Sequence, residues 1–410
     1  MIQEQPWYKR LGPGLITAAV VLGPGSIVSA STAGARSGYG LIWMLAVSAI
    51  VMATFTSMAA RIGCALDKSF LSFLAEKWGR PVAAVTGISA FVVAAGFQFG
   101  NNIGVSVAMQ GVFSDVPGWI WPIVFTALSI LFMSIAKDVY HLLEIVMRFL
   151  VAAMMVAFLG NLFFTGINPV ELGKGLIPGS ISSSEFIVAT SLLGTTFSAV
   201  AAFYQAYLVQ AKGWNRSNVR FAIQDAWIGI AILGGISMVI MIGAAQSLHG
   251  KGGEFRNIGE LAAQLQGVLG NKAILVFSFG LGAAAFSSFI TNALIGGALL
   301  TDGFGLDTHM ESRPTRLAAC AGLLIGCIVA VVTMTTQIGG PQSVLIAQTS
   351  TIIASPLCAL LMFYFANNKA LMGDLRNGMA SNVIGGAGIL ILLYLASQTF
   401  LKVTAAVFGG

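Results

Sequence analysis

Leu22-Gly23-Pro24-Gly25-Ser26 sits in the middle of the first hydrophobic segment of this 410-residue chain. Proline removes a backbone donor and two glycines relax the backbone, so a helix running through this segment breaks here. In hydrocarbon, a broken helix survives only where its loose backbone groups line a cavity or are buried in protein. The stretch therefore predicts a binding site near the bilayer midplane, with Gly23, Pro24, Gly25 and Ser26 as its first candidate substrate-binding residues.

Working outward, 57% of the residues are hydrophobic and only 9% charged, with a mean hydropathy of +0.87. That composition excludes a soluble domain and defines an all-α, polytopic membrane protein. At about 20 apolar residues per crossing, eleven segments are expected. They lie near residues 14–36, 39–61, 82–111, 118–136, 143–166, 186–211, 221–248, 272–300, 315–336, 341–366 and 380–405. The opening MIQEQPWYKRLGPG lacks an apolar run followed by a small-residue cleavage site, so no cleaved signal is expected.

Fifteen of the 21 Lys and Arg residues fall in one alternate set of loops. This bias predicts a plasma (inner) membrane protein with a cytoplasmic N-terminus and an external C-terminus. It also accounts for most of the formal net charge of +6. Basic and aromatic residues are not interleaved in a soluble domain, so nucleic acid is not an expected partner. Cys64, Cys320, Cys327 and Cys358 lie in or beside hydrophobic segments without zinc-site spacing and read as packing residues. His141, His249 and His309 fall in expected loops, which leaves no intramembrane imidazole for a metal or a proton.

Segment 3 carries Gln98, Asn101 and Asn102, whose amides at membrane depth either join helices or line a polar pathway. Segment 6 carries Gly194, Thr195, Thr196 and Ser198, a second and weaker break signal five segments after the first. Interrupted helices in corresponding positions of two five-helix halves indicate an inverted-repeat transporter with its site between them. The expected layout is one transmembrane domain over residues 1–410, with repeats at about 12–166 and 186–366 and an extra helix at 380–405. Ser287, Ser288 and Thr291 on segment 8, and Gln348 on segment 10, either satisfy their own helices or line an ion pathway.

These residues, taken in order, resemble the Nramp family of divalent-metal transporters over nearly the whole chain. The likeness rests on Gly12-Pro13-Gly14-Leu15, the break eight residues on, Gly38-Tyr39 with Leu41-Ile42-Trp43, and Ala59-Ala60-Arg61-Ile62-Gly63. Leu208-Val209-Gln210, Ser287-Ser288 with Thr291, Gln348 and Leu371-Met372-Gly373-Asp374 extend it. The resemblance implies a five-plus-five inverted repeat with helices 1 and 6 broken and an eleventh helix.

The departures are more informative than the matches. Metal-transporting members carry Asp-Pro-Gly-Asn at the first break, where this chain has Gly23 and Ser26 at the acidic and amide positions. Their Met-Pro-His on helix 6 falls on Ser198, Ala199 and Val200, and a second histidine falls on Gln205. The family's acidic pair on helix 3 falls on Gln98 and Asn101. In this respect the chain resembles Nramp-related bicarbonate transporters.

A dehydrated divalent cation in a low-dielectric site calls for formal negative charge, which this set lacks. Half-helix N-termini instead suit an anion, with hydroxyls of Ser26, Thr195, Thr196 and Ser198 as further expected donors. The expected function is secondary transport of a small anion, bicarbonate foremost. Ser287, Ser288 and Thr291 are expected to hold a coupled Na+, and Gln98, Asn101, Gln205 and Gln348 to line the pathway. The alternative is a divalent cation, Mg2+ or Mn2+, in a neutral site. No enzyme, no resident cofactor or transition-metal ligand set, and no protein partner is expected; the chain is expected to act as a monomer in the bilayer.

Overall fold

The computed structural model describes residues 12–134, 137–250, 258–336 and 341–408, with side chains left out for 137–146, 148, 341–343, 350 and 402–408. The main helices are α1 (Pro13–Val21), α2 (Pro24–Ser37), α3 (Ile42–Ala65), α4 (Phe70–Trp78), α5 (Arg80–Gln110), α6 (Ile120–Ser134), α7 (Lys137–Thr165) and α8 (Pro169–Gly175). They continue with α9 (Phe186–Thr196), α10 (Ala199–Ala211), α11 (Val219–Leu248), α12 (Ala273–Phe304), α13 (Arg313–Thr335), α14 (Pro341–Ser350), α15 (Pro356–Asn367) and α16 (Met379–Phe408). Among the described residues there is no strand. Within the described residues, seven helices are long and apolar enough to cross a membrane, or up to nine if each bent pair is one span. Each of the eleven expected segments is present as a helix or an interrupted pair of helices.

The first break follows from its residues. Leu22 N–H still reaches Ala18 O at 2.9 Å, but Gly23 N–H turns back to Val21 O at 2.8 Å. Pro24 has no N–H to offer the Val20 carbonyl and starts a new helix as its first residue. The two halves meet at 62°. Segment 6 is interrupted only at Phe197 and Ser198, and runs on as one 26-residue span.

Segment 10 differs from expectation. It divides into α14 and α15 around turns at 351–354. Pro356 cannot donate back across the gap, while Thr351 Oγ1 donates to Gln348 O (2.7 Å) and Ser355 Oγ donates to Thr351 O (2.7 Å). His141 also differs, lying within α7 rather than in a loop.

Small residues bring the backbones around the break close together. A Cβ on Gly229 of α11 would lie 2.2 Å from Gly14 O, and one on Gly34 of α2 would lie 2.1 Å from Met241 O. Across the molecule, a Cβ on Gly87 would lie 2.6 Å from Leu299 O, which locks α5 against α12. Such contacts replace the hydrophobic drive that lipid does not supply between helices. Phe197, at the second interruption, is buried against Phe55 with ring centroids 5.1 Å apart.

Candidate functional site

Gly23 is the N-cap of α2, with φ at −105°, so its lack of a side chain is a matter of space and charge, not backbone strain. A Cβ there would lie 3.0 Å from Ser288 Oγ on α12 and 3.6 Å from Asn101 Oδ1 on α5. Pro24 packs onto α5 where Gly104 leaves room, a Cβ on Gly104 falling 2.5 Å from Pro24 Cβ. A Cβ on Gly25 would lie 2.2 Å from Gln348 Nε2. Helices 1, 3, 8 and 10 of the segment order thus converge on the break, and the side chains they bring are neutral.

The second interruption is joined to the first. Ser29 on α2 and Ser191 on α9 share a hydrogen bond at 2.6 Å. A Cβ on Gly194 would lie 2.9 Å from Gln348 O, so α14 touches both broken segments. Ser198 caps α10, accepting from Ala201 N–H at 3.3 Å. Thr195 and Thr196, at the end of α9, are buried.

Two of the expected hydroxyl donors are spent locally. Ser26 Oγ donates to Val21 O at 2.8 Å, bridging the break itself, and Thr195 Oγ1 donates to Leu192 O at 3.1 Å. Their protons are not free for a substrate. Backbone groups add to the hydroxyls of Thr196 and Ser198 as donors. The first N–H groups of a helix have no intrahelical partner, which leaves Gly25 and Ser26 in α2, and Ala199 and Val200 in α10. On the opposite side of the break, Pro24 leaves the Val20 carbonyl without its helical donor.

The three helix-8 residues separate. Ser288 is buried facing Gly23, whereas Ser287 is exposed and Thr291 Oγ1 donates to Ser287 O at 3.0 Å. Two positions four apart share a helix face, and that face points away from the break. Asn292, buried, accompanies Ser288 on the inner side.

The amides divide as well. Gln98 Nε2 donates to Phe289 O at 2.6 Å and Asn102 Nδ2 donates to Gln98 O at 2.8 Å, so these two join α5 to α12 and to its own backbone. Asn101 Nδ2 donates to Gln98 Oε1 at 3.3 Å, leaving Asn101 Oδ1 toward the break. Gln205 pairs with Thr17 at 2.5 Å and belongs to the start of α1, away from the break. Gln348 Oε1 is buried with no hydrogen-bond partner among the described residues.

Two carboxylates that sequence reasoning did not single out are buried elsewhere in the helix bundle. Asp225 on α11 accepts from Gly12 N–H (2.8 Å) and Gly14 N–H (2.5 Å), capping α1 from a neighbouring helix. Asp302, ending α12, accepts from Tyr207 Oη (2.7 Å) and Ser72 Oγ (2.9 Å), tying α12 to α10 and α4. An ionisable residue inside a hydrophobic segment is itself the signal that would have found them. Neither faces Gly23 or Gly25. Among the described residues, no three His, Cys, Asp or Glu side chains gather in a way that could hold a metal ion.

Two interrupted helices joined through buried, neutral polar side chains form the arrangement of a membrane transporter. A family model described as natural resistance-associated macrophage protein-like, Nramp, matches residues 14–402. The chain belongs to the Nramp family.

Its relatives include the divalent metal cation transporter MntH of Yersinia enterocolitica, 25% identical over 391 residues, covering 94% of this chain and 93% of that one. MntH of Granulibacter bethesdensis is 21% identical over 392 residues, covering 94% and 86%. Among solved structures, a mutant of the Eremococcus coleocola manganese transporter superposes with a TM-score of 0.82 at 17% identity, covering 100% of this chain and 90% of that one. A nucleobase-cation-symport-1 family transporter in a closed conformation gives 0.57 at 14% identity, covering 97% and 93%. These structural likenesses establish a shared fold.

Proposed function

We propose that this chain is a secondary active transporter of a small monovalent oxyanion, foremost bicarbonate, moving together with Na+. The reading is carried by one observation: the side chains facing Gly23 and Gly25 are the neutral Ser288, Asn101 and Gln348. They surround a helix N-terminus whose free N–H groups and dipole favour negative charge. Moving one anion inward against an inside-negative potential costs about 2.3 kcal/mol per 100 mV, which a co-transported cation offsets. Oxygens suited to Na+ are Ser288 Oγ, Asn101 Oδ1 and the Val20 carbonyl, with Ser287 and Thr291 outside that set. We assign the two repeats to about 12–166 and 186–366, place the N-terminus in the cytoplasm, and take the working unit as a monomer. Uptake of labelled bicarbonate by proteoliposomes, with and without an inward Na+ gradient, tests the reading; no concentrative uptake in either condition overturns it.

The relatives favour a second reading. Those named above are divalent metal cation or manganese transporters, and descent therefore weighs toward a divalent cargo, Mg2+ or Mn2+, more than toward an anion. Mg2+ retains several waters when bound, and those waters would donate to Asn101 Oδ1 and Gln348 Oε1 without a carboxylate. Calorimetric titration of the purified protein with Mg2+ and Mn2+ separates the readings: saturable binding accompanied by transport replaces the anion with the cation.

A further inference from the structure

Gln348 is placed by glycine on two sides. Its Nε2 lies where a Cβ on Gly25 of α2 or on Gly100 of α5 would stand, 2.2 Å and 2.3 Å away. The amide therefore occupies a slot that exists only because both positions are glycine. Its backbone carbonyl meanwhile sits against Gly194 of α9, so the side chain is held between the two interrupted segments. The residue is 1% exposed, and Oε1 has no hydrogen-bond partner among the described residues. A buried amide oxygen left unpaired is costly, and native structures seldom carry one without a reason.

The unpaired groups have a definite chemistry. Near Gln348 Nε2, the N–H groups of Gly25 and Ser26 call for acceptors, whereas Gln348 Oε1 calls for a donor. An anion that is all acceptor, such as nitrate or chloride, satisfies the first and leaves Oε1 orphaned. A protonated oxyanion satisfies both, its unprotonated oxygens accepting from the N–H groups and its O–H donating to Oε1. Resting on the anion reading above, we infer that Gln348 is a specificity-determining residue that selects hydrogen-bearing oxyanions by accepting their O–H, with bicarbonate the matching planar member of the class. Sites built to bond a substrate hydroxyl reject analogues lacking it far more strongly than apolar pockets reject an extra methylene.

Nitrate is the discriminating probe, because it is planar, monovalent and close to bicarbonate in size but carries no proton. In proteoliposomes at an alkaline pH where bicarbonate outweighs dissolved CO2, the wild-type protein should take up labelled bicarbonate and be inhibited by nitrate at least about tenfold less effectively than by unlabelled bicarbonate. In Gln348→Leu, bicarbonate uptake should weaken and the gap between the two competitors should close to about twofold or less, since Oε1 no longer penalises nitrate. Wild-type uptake with equal inhibition by both anions overturns the inference while leaving the anion reading standing, and does so even if the variant fails to fold. A variant that folds and keeps full discrimination overturns it too. Absence of wild-type bicarbonate uptake overturns the anion reading itself, and the selection mechanism with it.

Discussion

Gly23 is the residue at which space, backbone and charge can be separated. Its φ of −105° suits any side chain, and as N-cap of α2 it occupies a position where Asp is among the preferred residues. With Ser288 Oγ giving way by a few tenths of an ångström, Gly23→Asp should keep the fold, the new carboxylate accepting from the free N–H groups of α2. The same carboxylate would sit where an anion would bind. At about 4 Å and an effective dielectric near 20, like charges repel by about 4 kcal/mol, so bicarbonate uptake should fall at least about tenfold while the melting temperature holds. Unchanged uptake would place the site elsewhere. Reading the sequence found Gly23 through an absence: the break motif was retained and its expected charge was missing. It did not find Gly100 as one wall of the Gln348 slot, because that function depends on a contact between helices far apart in the chain.

The half-helices depend on partners outside themselves. The Asp225 carboxylate pairs two N–H groups at the start of α1, and Asp225→Ala would leave both Gly12 and Gly14 without an acceptor. Loss of roughly 1–3 kcal/mol is expected, read as a lower melting temperature in detergent; an unchanged melt would mean that α1 is held by packing alone.

A second tie joins α2 to the loop before α9. Ser37 Oγ donates to Glu185 Oε1 at 2.5 Å and Ser182 Oγ donates to Oε2 at 2.7 Å. These bonds, Ser37 first, hold the Glu185 carboxyl below its ordinary value of 4.5. Because the folded value is depressed, the contribution is complete above pH 4.5 and fades as pH falls below it. Wild type should thus melt higher than Glu185→Gln at neutral pH, with the difference shrinking on acidification; a difference that grows on acidification would contradict the sign.

At this scale the sequence was legible wherever period and breaker agreed. The helix-1 break was visible because Gly-Pro-Gly removes a donor and relaxes the backbone together. The division of segment 10 was missed because its hydroxyl run reads equally well as helix or turn, and the informative residue, Pro356, stands just beyond it. On α12, Ser287, Ser288 and Thr291 were grouped by proximity in sequence, whereas their helical phase sets Ser288 apart from the other two.

Across the whole molecule, Nramp architecture is retained around a helix break whose facing side chains carry no formal charge. Small-residue contacts fix the helices closely enough to hold Gln348, Asn101 and Ser288 against a break between the two halves of segment 1. The fold was readable from hydropathy and the two interruptions; the cargo was not, because it depends on which atoms near the break remain unpaired after the protein has satisfied itself. Descent weighs toward a divalent cation, and the unpaired groups weigh toward an oxyanion. The most direct measurement sets these against each other in one preparation: proteoliposomes under an inward Na+ gradient, assayed in parallel for labelled bicarbonate and for Mn2+ and Mg2+. The neutral-site account predicts Na+-dependent accumulation of bicarbonate that Gly23→Asp lowers at least about tenfold, with no saturable uptake of either metal. Saturable Mn2+ or Mg2+ uptake without bicarbonate accumulation would contradict it.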